Sequence, residues 1–170
     1  MSSEEVLINR VAQSPLITIK PEDFLPIQKI VEFDLKNYLF RELILKELDF
    51  RSAMKEINWL DYKDCILAVY CSADVIIPTW AFMLVSSHAK TYVSDIFFGN
   101  KETVLIQYVN LKIANTDFSL YKDKKIVLKG CSDNYVPPSA YLDITNRLLP
   151  FASSIMYGEP CSTVPIYKRK

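Results

Sequence analysis

A chain of 170 residues is the size of one domain, and folding at that length buries about two thirds of the surface an extended chain exposes, so no staple is required. Its 20 basic and 20 acidic residues cancel, which excludes a strong field for gathering nucleic acid, an anionic membrane or a highly charged substrate. Four cysteines and no secretory pattern at MSSEEVLINR argue against a disulfide framework, so the expectation is a single α/β domain, residues 1–170, in the cytoplasm.

In chain order, Ser2 and Glu5 read as a capping box for a short first helix. LITI (Leu16 to Ile19) and IVEFDL (Ile30 to Leu35) follow as short strands around the turn KPEDFLP, with LILK (Leu43 to Lys46) as a weaker one. Asp49 caps a short helix, Phe50 to Ile57. Strand and helix patterns then alternate through CILAVY, PTWAFMLVSSHA, YVSDIFF, KETVLIQYVNLKIA, KKIVLK, PPSAYLDITNRLL and SSIMY. That alternation predicts a three-layer α/β fold, a mainly parallel sheet with helices on both faces. Cys65 to Val85 is about as long as a membrane span, which needs ~20 apolar residues. Ser72, Asp74, Pro78 and Thr79 at its middle fit a buried strand, a loop and a buried helix instead. The closing YKRK reads as a solvated tail.

YKDCILAVYCSADVIIPTWA, Tyr62 to Ala81, lines up with YKDKKIVLKGCSDNYVPPSA, Tyr121 to Ala140, when one extra residue is allowed in the second strand. Both run Tyr-Lys-Asp, strand, Cys-Ser, loop, Pro, then Thr or Ser, so the expected fold includes an internal duplication of a strand-loop-helix unit. Pro78 and Pro138 each stand seven residues after a cysteine, where a fixed φ and a missing N–H suit the first turn of a helix. A third Cys-Ser pair stands in GEPCSTVP. Ligands of open α/β sheets sit outside the carboxyl ends of the strands, where strand order reverses. With CILAVY central between YVSDIFF and KKIVLK, Cys71 and Cys131 flank that crevice on strands ~4.8 Å apart, and Cys161 follows SSIMY at the same edge. Gly130 and Gly158 suit a tight turn or a close approach of backbone to a ligand.

Cys71, Cys131 and Cys161 are therefore candidate metal ligands. Soft thiolates suit zinc, and three protein ligands leave a fourth position for Asp74, Asp133 or Glu159 to fill or activate. Ser72, Ser132 and Ser162, with Asp74 and Asp133, are candidate ligand-binding residues, because hydroxyls and loop N–H groups near two helix starts suit a small anion or polar ligand. Ordinary turn and cap duty explains the same serines. Rival readings are a thiol-dependent enzyme using Cys71 or Cys131, and a structural or interaction protein whose cysteines only pack. The one histidine, His88, lies ~15 Å along a helix from Pro78, which argues against a Cys-His or Ser-His-Asp triad within one subunit. Cys65 opens a strand and reads as a small core hydrophobe. No GxGxxG or Walker lysine loop marks a nucleotide, and an iron–sulfur cluster lacks close cysteine spacing. Trp80, Phe82, Met83, Leu84 and Val85 make a helix apolar almost all round, for core burial or a homodimer contact. The expected partners are a small molecule or a metal ion, with zinc as the cofactor, and neither nucleic acid nor membrane; enzyme status stays open.

FDLKNYLFRELILKELDFR, YCSADVIIPTWA, KGCSDNYVPPSAY and SIMYGEPCSTVPIYKR together resemble a family of bacterial proteins classed as a domain of unknown function (domain of unknown function 2480). The resemblance covers nearly the whole chain, its last segment being the most distinctive. It implies a stand-alone bacterial protein and carries no activity, cofactor or partner to any residue. CSTVPIY also resembles the strand that follows a cis-proline in thioredoxin-like folds, but no CxxC sits at the start of a helix here.

Overall fold

The structure, a computed structural model, describes residues 16–159 and 161–170; the helix expected at Ser2 and Glu5 lies outside them. The chain divides into two compact units, one Pro26–Val109 and the other Met1–Leu25 with Asn110–Lys170. Each builds its own sheet.

In the first unit β2 (Ile30–Asp34), β3 (Ile66–Tyr70) and β4 (Asp95–Phe98) lie in that order, all parallel. β3 reads ILAVY with no polar alternation, the mark of a strand covered on both faces, and Ile66, Leu67 and Ala68 are fully buried. Leu67, Val69 and Phe33 pack with Phe50 and Met54 of α1 (Glu47–Glu56) and with Ala81, Val85 and Ala89 of α2 (Thr79–Ala89). Ile66, Ala68 and Ile30 pack instead with Val104 and Tyr108 of α3 (Lys101–Ala114). The i, i+4 spacing of the buried residues on α1 and α2 is what turns one helix face to the sheet. Trp80 meets Phe50 edge-on at 6.0 Å, while Met83 on the same helix is 70% exposed.

Two local expectations change here. α1 starts at Glu47, and Asp49 sits in its first turn instead of capping it. LILK is no strand: Phe40 and Ile44 form an isolated antiparallel bridge around Arg41 and Glu42, whose φ values are 50° and 59°. Left-handed backbone costs a non-glycine residue about 1–2 kcal/mol. Of the apolar letters of LILK, Leu43 and Ile44 are exposed and Leu45 is buried. Among the described residues no helix is long and apolar enough to cross a membrane, and Cys65 to Val85 divides into β3, a loop and α2.

In the second unit the sheet runs β1 (Leu16–Ile19), β5 (Lys125–Leu128), β6 (Ser154–Glu159) and β7 (Ser162–Lys168). The first three are parallel and β7 closes an antiparallel hairpin. α4 (Pro138–Leu148) buries Ala140, Ile144 and Leu148 on one stripe, and Ile126, Val127 and Ile155 are fully buried in the strands. β7 was not foreseen, since STVPIYK is mostly exposed and carries a proline. An edge strand tolerates both features.

The expected single sheet is thereby corrected. CILAVY has YVSDIFF on one side but β2 on the other, and KKIVLK is the second strand of the other sheet, between β1 and β6. A strand has only two hydrogen-bonding edges, and β2 and β1 occupy those that had been assigned to the other central strand. Within each parallel set the strands follow chain order without reversal, so neither sheet has a switch-point crevice.

The two units nevertheless repeat local backbone interactions 59 residues apart (64 to 123). Asp64 and Asp123 both have φ 58° and donate their N–H to Tyr92 O and Phe151 O. Ser94 and Ser153 each donate N–H and hydroxyl to one carbonyl, that of Cys65 or Lys124. Pro78 and Pro137 cap α2 and α4, and Gly99 and Gly158 follow with φ 128° and 122°. This constant spacing leaves no room for an extra residue in the second strand. Cys131 then corresponds to Ser72, Gly130 to Cys71 and Ser132 to Ala73; Asp133 does correspond to Asp74. Cys71 and Cys131 are thus neither neighbours on one sheet nor equivalent positions.

Candidate functional site

The residues singled out by the sequence disperse. Cys71 is half-buried and packs against the core of the first unit. Cys131 is exposed after β5, and Cys161 is exposed in the turn between β6 and β7. Asp74, Asp133 and Ser162 are exposed loop or strand-end residues. Among the described residues no group of three or more His, Cys, Asp or Glu side chains is placed to hold one metal ion, so the three-cysteine zinc expectation has no geometry to rest on. Cys65 is 5% exposed, and burial pushes its thiol pKa up. His88 stacks on Trp59, centroids 6.2 Å apart.

At the carboxyl end of β3 the Cys-Ser segment is tied down. Asp34, the last residue of β2, takes the Ser72 hydroxyl at 2.5 Å and the Ser72 N–H at 3.0 Å. It also takes the Lys36 N–H at 2.9 Å, capping the 3-10 turn Leu35–Tyr38. Burial pushes the Asp34 carboxyl up, but these hydrogen bonds outweigh it and hold the pKa below the ordinary range. Ser72 therefore serves as a clasp between strand ends, with its hydroxyl already spent.

The carboxyl end of β5 is built differently. Glu22, in the 3-10 turn Pro21–Phe24 after β1, stands 3.5 Å from the Lys129 ammonium. The nearby Ser132 hydroxyl is the main cause that holds its carboxyl below the ordinary range; burial opposes this and Lys129 adds to it. Above them Tyr141 of α4 meets Tyr157 of β6 edge-on, centroids 5.8 Å apart at 72°. The Tyr141 hydroxyl points at Lys129 O, 3.5 Å away. Burial pushes that phenol up, with smaller upward effects from Tyr157, Glu22 and Cys131. Gly130 is where backbone approaches closely, and what approaches is a ring: a Cβ there would lie 2.8 Å from Tyr157 Cζ and 3.0 Å from its hydroxyl. Glycine thus lets the phenol settle over the strand tip beside Cys131. Further along β6, Glu159 has one enclosed carboxylate oxygen without a hydrogen-bond partner among the described residues.

Of the expected ligand-binding residues only Ser132 belongs to this cluster, with Cys131 beside it. Glu22, Lys129, Tyr141 and Tyr157 were missed. The signal lay one step beyond the aligned stretch: at constant spacing the next pair after Ala81 and Ala140 is Phe82 and Tyr141, and Phe98 and Tyr157 follow. Phe82 and Phe98 form the same edge-on pair, centroids 5.3 Å apart at 71°.

No curated protein and no solved structure matches the chain. A family model described as "Protein of unknown function (DUF2480)" matches residues 5–169, and the chain belongs to that family.

Proposed function

We propose that the chain binds a small polar ligand at the carboxyl end of β1, β5 and β6, through Glu22, Lys129, Ser132, Tyr141 and Tyr157. The observation that carries this reading is the ring pair. Two phenylalanines satisfy the packing at Phe82 and Phe98, whereas the corresponding tyrosines add two hydroxyls that packing does not require, that of Tyr141 near Lys129 O and that of Tyr157 on an exposed ring. They stand beside a carboxylate that accepts, an ammonium that donates and a serine that does both. Such a mixed set favours an uncharged or zwitterionic polar molecule over an anion, which needs a cradle of donors alone. Simple binding is preferred to thiol catalysis because Cys131 has no histidine to activate it: His88 is stacked on Trp59.

The test uses the double variant Tyr141→Phe/Tyr157→Phe, which reproduces the ring pair of the other unit and so should fold. Thermal unfolding of both proteins is followed with millimolar amino acids, polyols and, as the anionic class, dicarboxylates. Amino acids or polyols should raise the wild-type Tm by about 2 °C or more, as preferential binding to the native state requires, and the double variant should lose most of that rise. No rise with any class, a rise confined to dicarboxylates, or an equal rise in both proteins, refutes the proposal.

A further inference from the structure

A concavity lies in the Pro26–Val109 unit, against α1. It is open to solvent and offers about 300 Å³, the lower end of the range for small-molecule sites. Its walls are Tyr38, Leu39, Phe40, Phe50 and Ala53, and its polar members are Asn37 and Asp49. The Tyr38 and Phe50 rings fix one another edge-on at 5.4 Å. Phe40 is held by the bridge to Ile44, its N–H donating to Ile44 O at 2.7 Å, around two left-handed non-glycine residues, Arg41 and Glu42. Backbone held in sparsely populated conformations gathers where a side chain must be kept in place for binding.

The lining carries one formal charge, the Asp49 carboxylate, and neither Asp49 nor Asn37 has a side-chain hydrogen bond or ion pair among the described residues. The Phe40 ring is already covered by cations of the chain, which leaves Asp49, with the Tyr38 and Phe50 rings, to meet a charged ligand. The Lys46 ammonium lies 3.4 Å from its ring centroid and the Arg41 guanidinium 5.3 Å. A ring face presents negative potential to a cation, and a carboxylate nearby reinforces it. We infer that this concavity is a site for a small organic ammonium, a positive group on a compact apolar body, with Asp49 receiving the charge and the Tyr38 and Phe50 rings the body. The inference is independent of the ligand site at β5.

The probes are phenethylammonium, neutral 2-phenylethanol and anionic phenylacetate, titrated into the full chain while backbone amide NMR shifts of Tyr38, Phe40 and Ala53 are followed. Phenethylammonium should bind about fivefold or more tightly than the other two, and Asp49→Asn should abolish that preference while leaving the neutral probe unaffected. Ala53→Leu should block all three by filling the space. Equal binding of the neutral probe, no shifts up to about 10 mM, or a preference that survives Asp49→Asn, overturns the proposal. Asp49 is exposed, so Asp49→Asn should fold and decides the matter even if Ala53→Leu does not.

Discussion

At the carboxyl end of β3 two phenylalanines meet edge-on and a serine is locked to an aspartate; at the carboxyl end of β5 two tyrosines meet with the same geometry, beside a glutamate, a lysine and a serine. The backbone of the two strand-loop-helix stretches is alike, down to left-handed Asp64 and Asp123 ahead of β3 and β5 and the glycines that follow β4 and lie in β6. What differs is where polar atoms are placed. Around β3 they complete hydrogen bonds that hold the strand ends together. Around β5 they gather at an edge where packing does not ask for them, and the ligand proposal grows from that difference.

The largest expected difference between the two units lies in their cores. Leu148 and Ala89 hold corresponding positions on α4 and α2 and both are fully buried. Leu148→Ala should therefore cost about 2–5 kcal/mol in urea unfolding, through lost transfer energy and an unfilled cavity. A loss near zero would mean that α4 does not pack as α2 does. The glycines come next. A Cβ at Gly158 would lie 2.5 Å from the Ser162 carbonyl oxygen, whereas at Gly99 it meets the Thr103 methyl at 2.8 Å. Both φ values are unfavourable for other residues, but a side chain can yield where a hairpin backbone cannot. Gly158→Ala should cost about 3 kcal/mol and Gly99→Ala about 1–2 kcal/mol; equal losses would contradict the hairpin geometry.

The two carboxylates sharpen the contrast at lower energy. Asp34→Ala should lose about 1–2 kcal/mol, since it removes a cap as well as the clasp to Ser72. Asp34 and Glu22 both have lowered pKa values. The stability each lends is complete above the ordinary carboxylate range, near pH 4, and is lost as the pH falls through the lowered value. Carboxyl NMR titration should show Ser72→Ala raising Asp34 alone and Ser132→Ala raising Glu22 alone. Crossed or absent effects would remove the serine contacts from the account. The smallest difference concerns the i, i+4 pairs Arg51–Glu47 on α1 and Arg147–Asp143 on α4. Removing either arginine should change stability by about 0.3–0.5 kcal/mol, and a loss above about 1 kcal/mol would show that one of them is more than a surface pair.

Much of the fold was legible because it is locally encoded. Runs such as ILAVY and KIVL announce buried strands, the spacing of Ala81, Val85 and Ala89 announces a helix face, and proline before a helix marks where it starts. The partition into two sheets was not legible. β7 was hidden by its proline and its exposure, and the apolar LILK misled because a short apolar run does not say whether a neighbouring strand exists. At the site, the letters Cys-Ser drew attention by similarity, yet aligning them required a gap that the backbone does not contain. Ser132 survived as a member of the cluster; Cys71 and Cys161 did not join it.

By itself, then, the sequence determined most of the elements and their buried faces, since helix and strand periods, turn chemistry and proline geometry act over a few residues. Only the tertiary structure decided that KKIVLK pairs with LITI and SSIMY, that Cys131 answers to Ser72, and that Glu22 and Tyr157 meet at one strand tip. Those facts depend on pairing between segments distant in the chain, Leu16–Ile19 with Lys125–Leu128 above all, and register is set by which partners are free and which faces can be buried together, which no local stretch of residues contains.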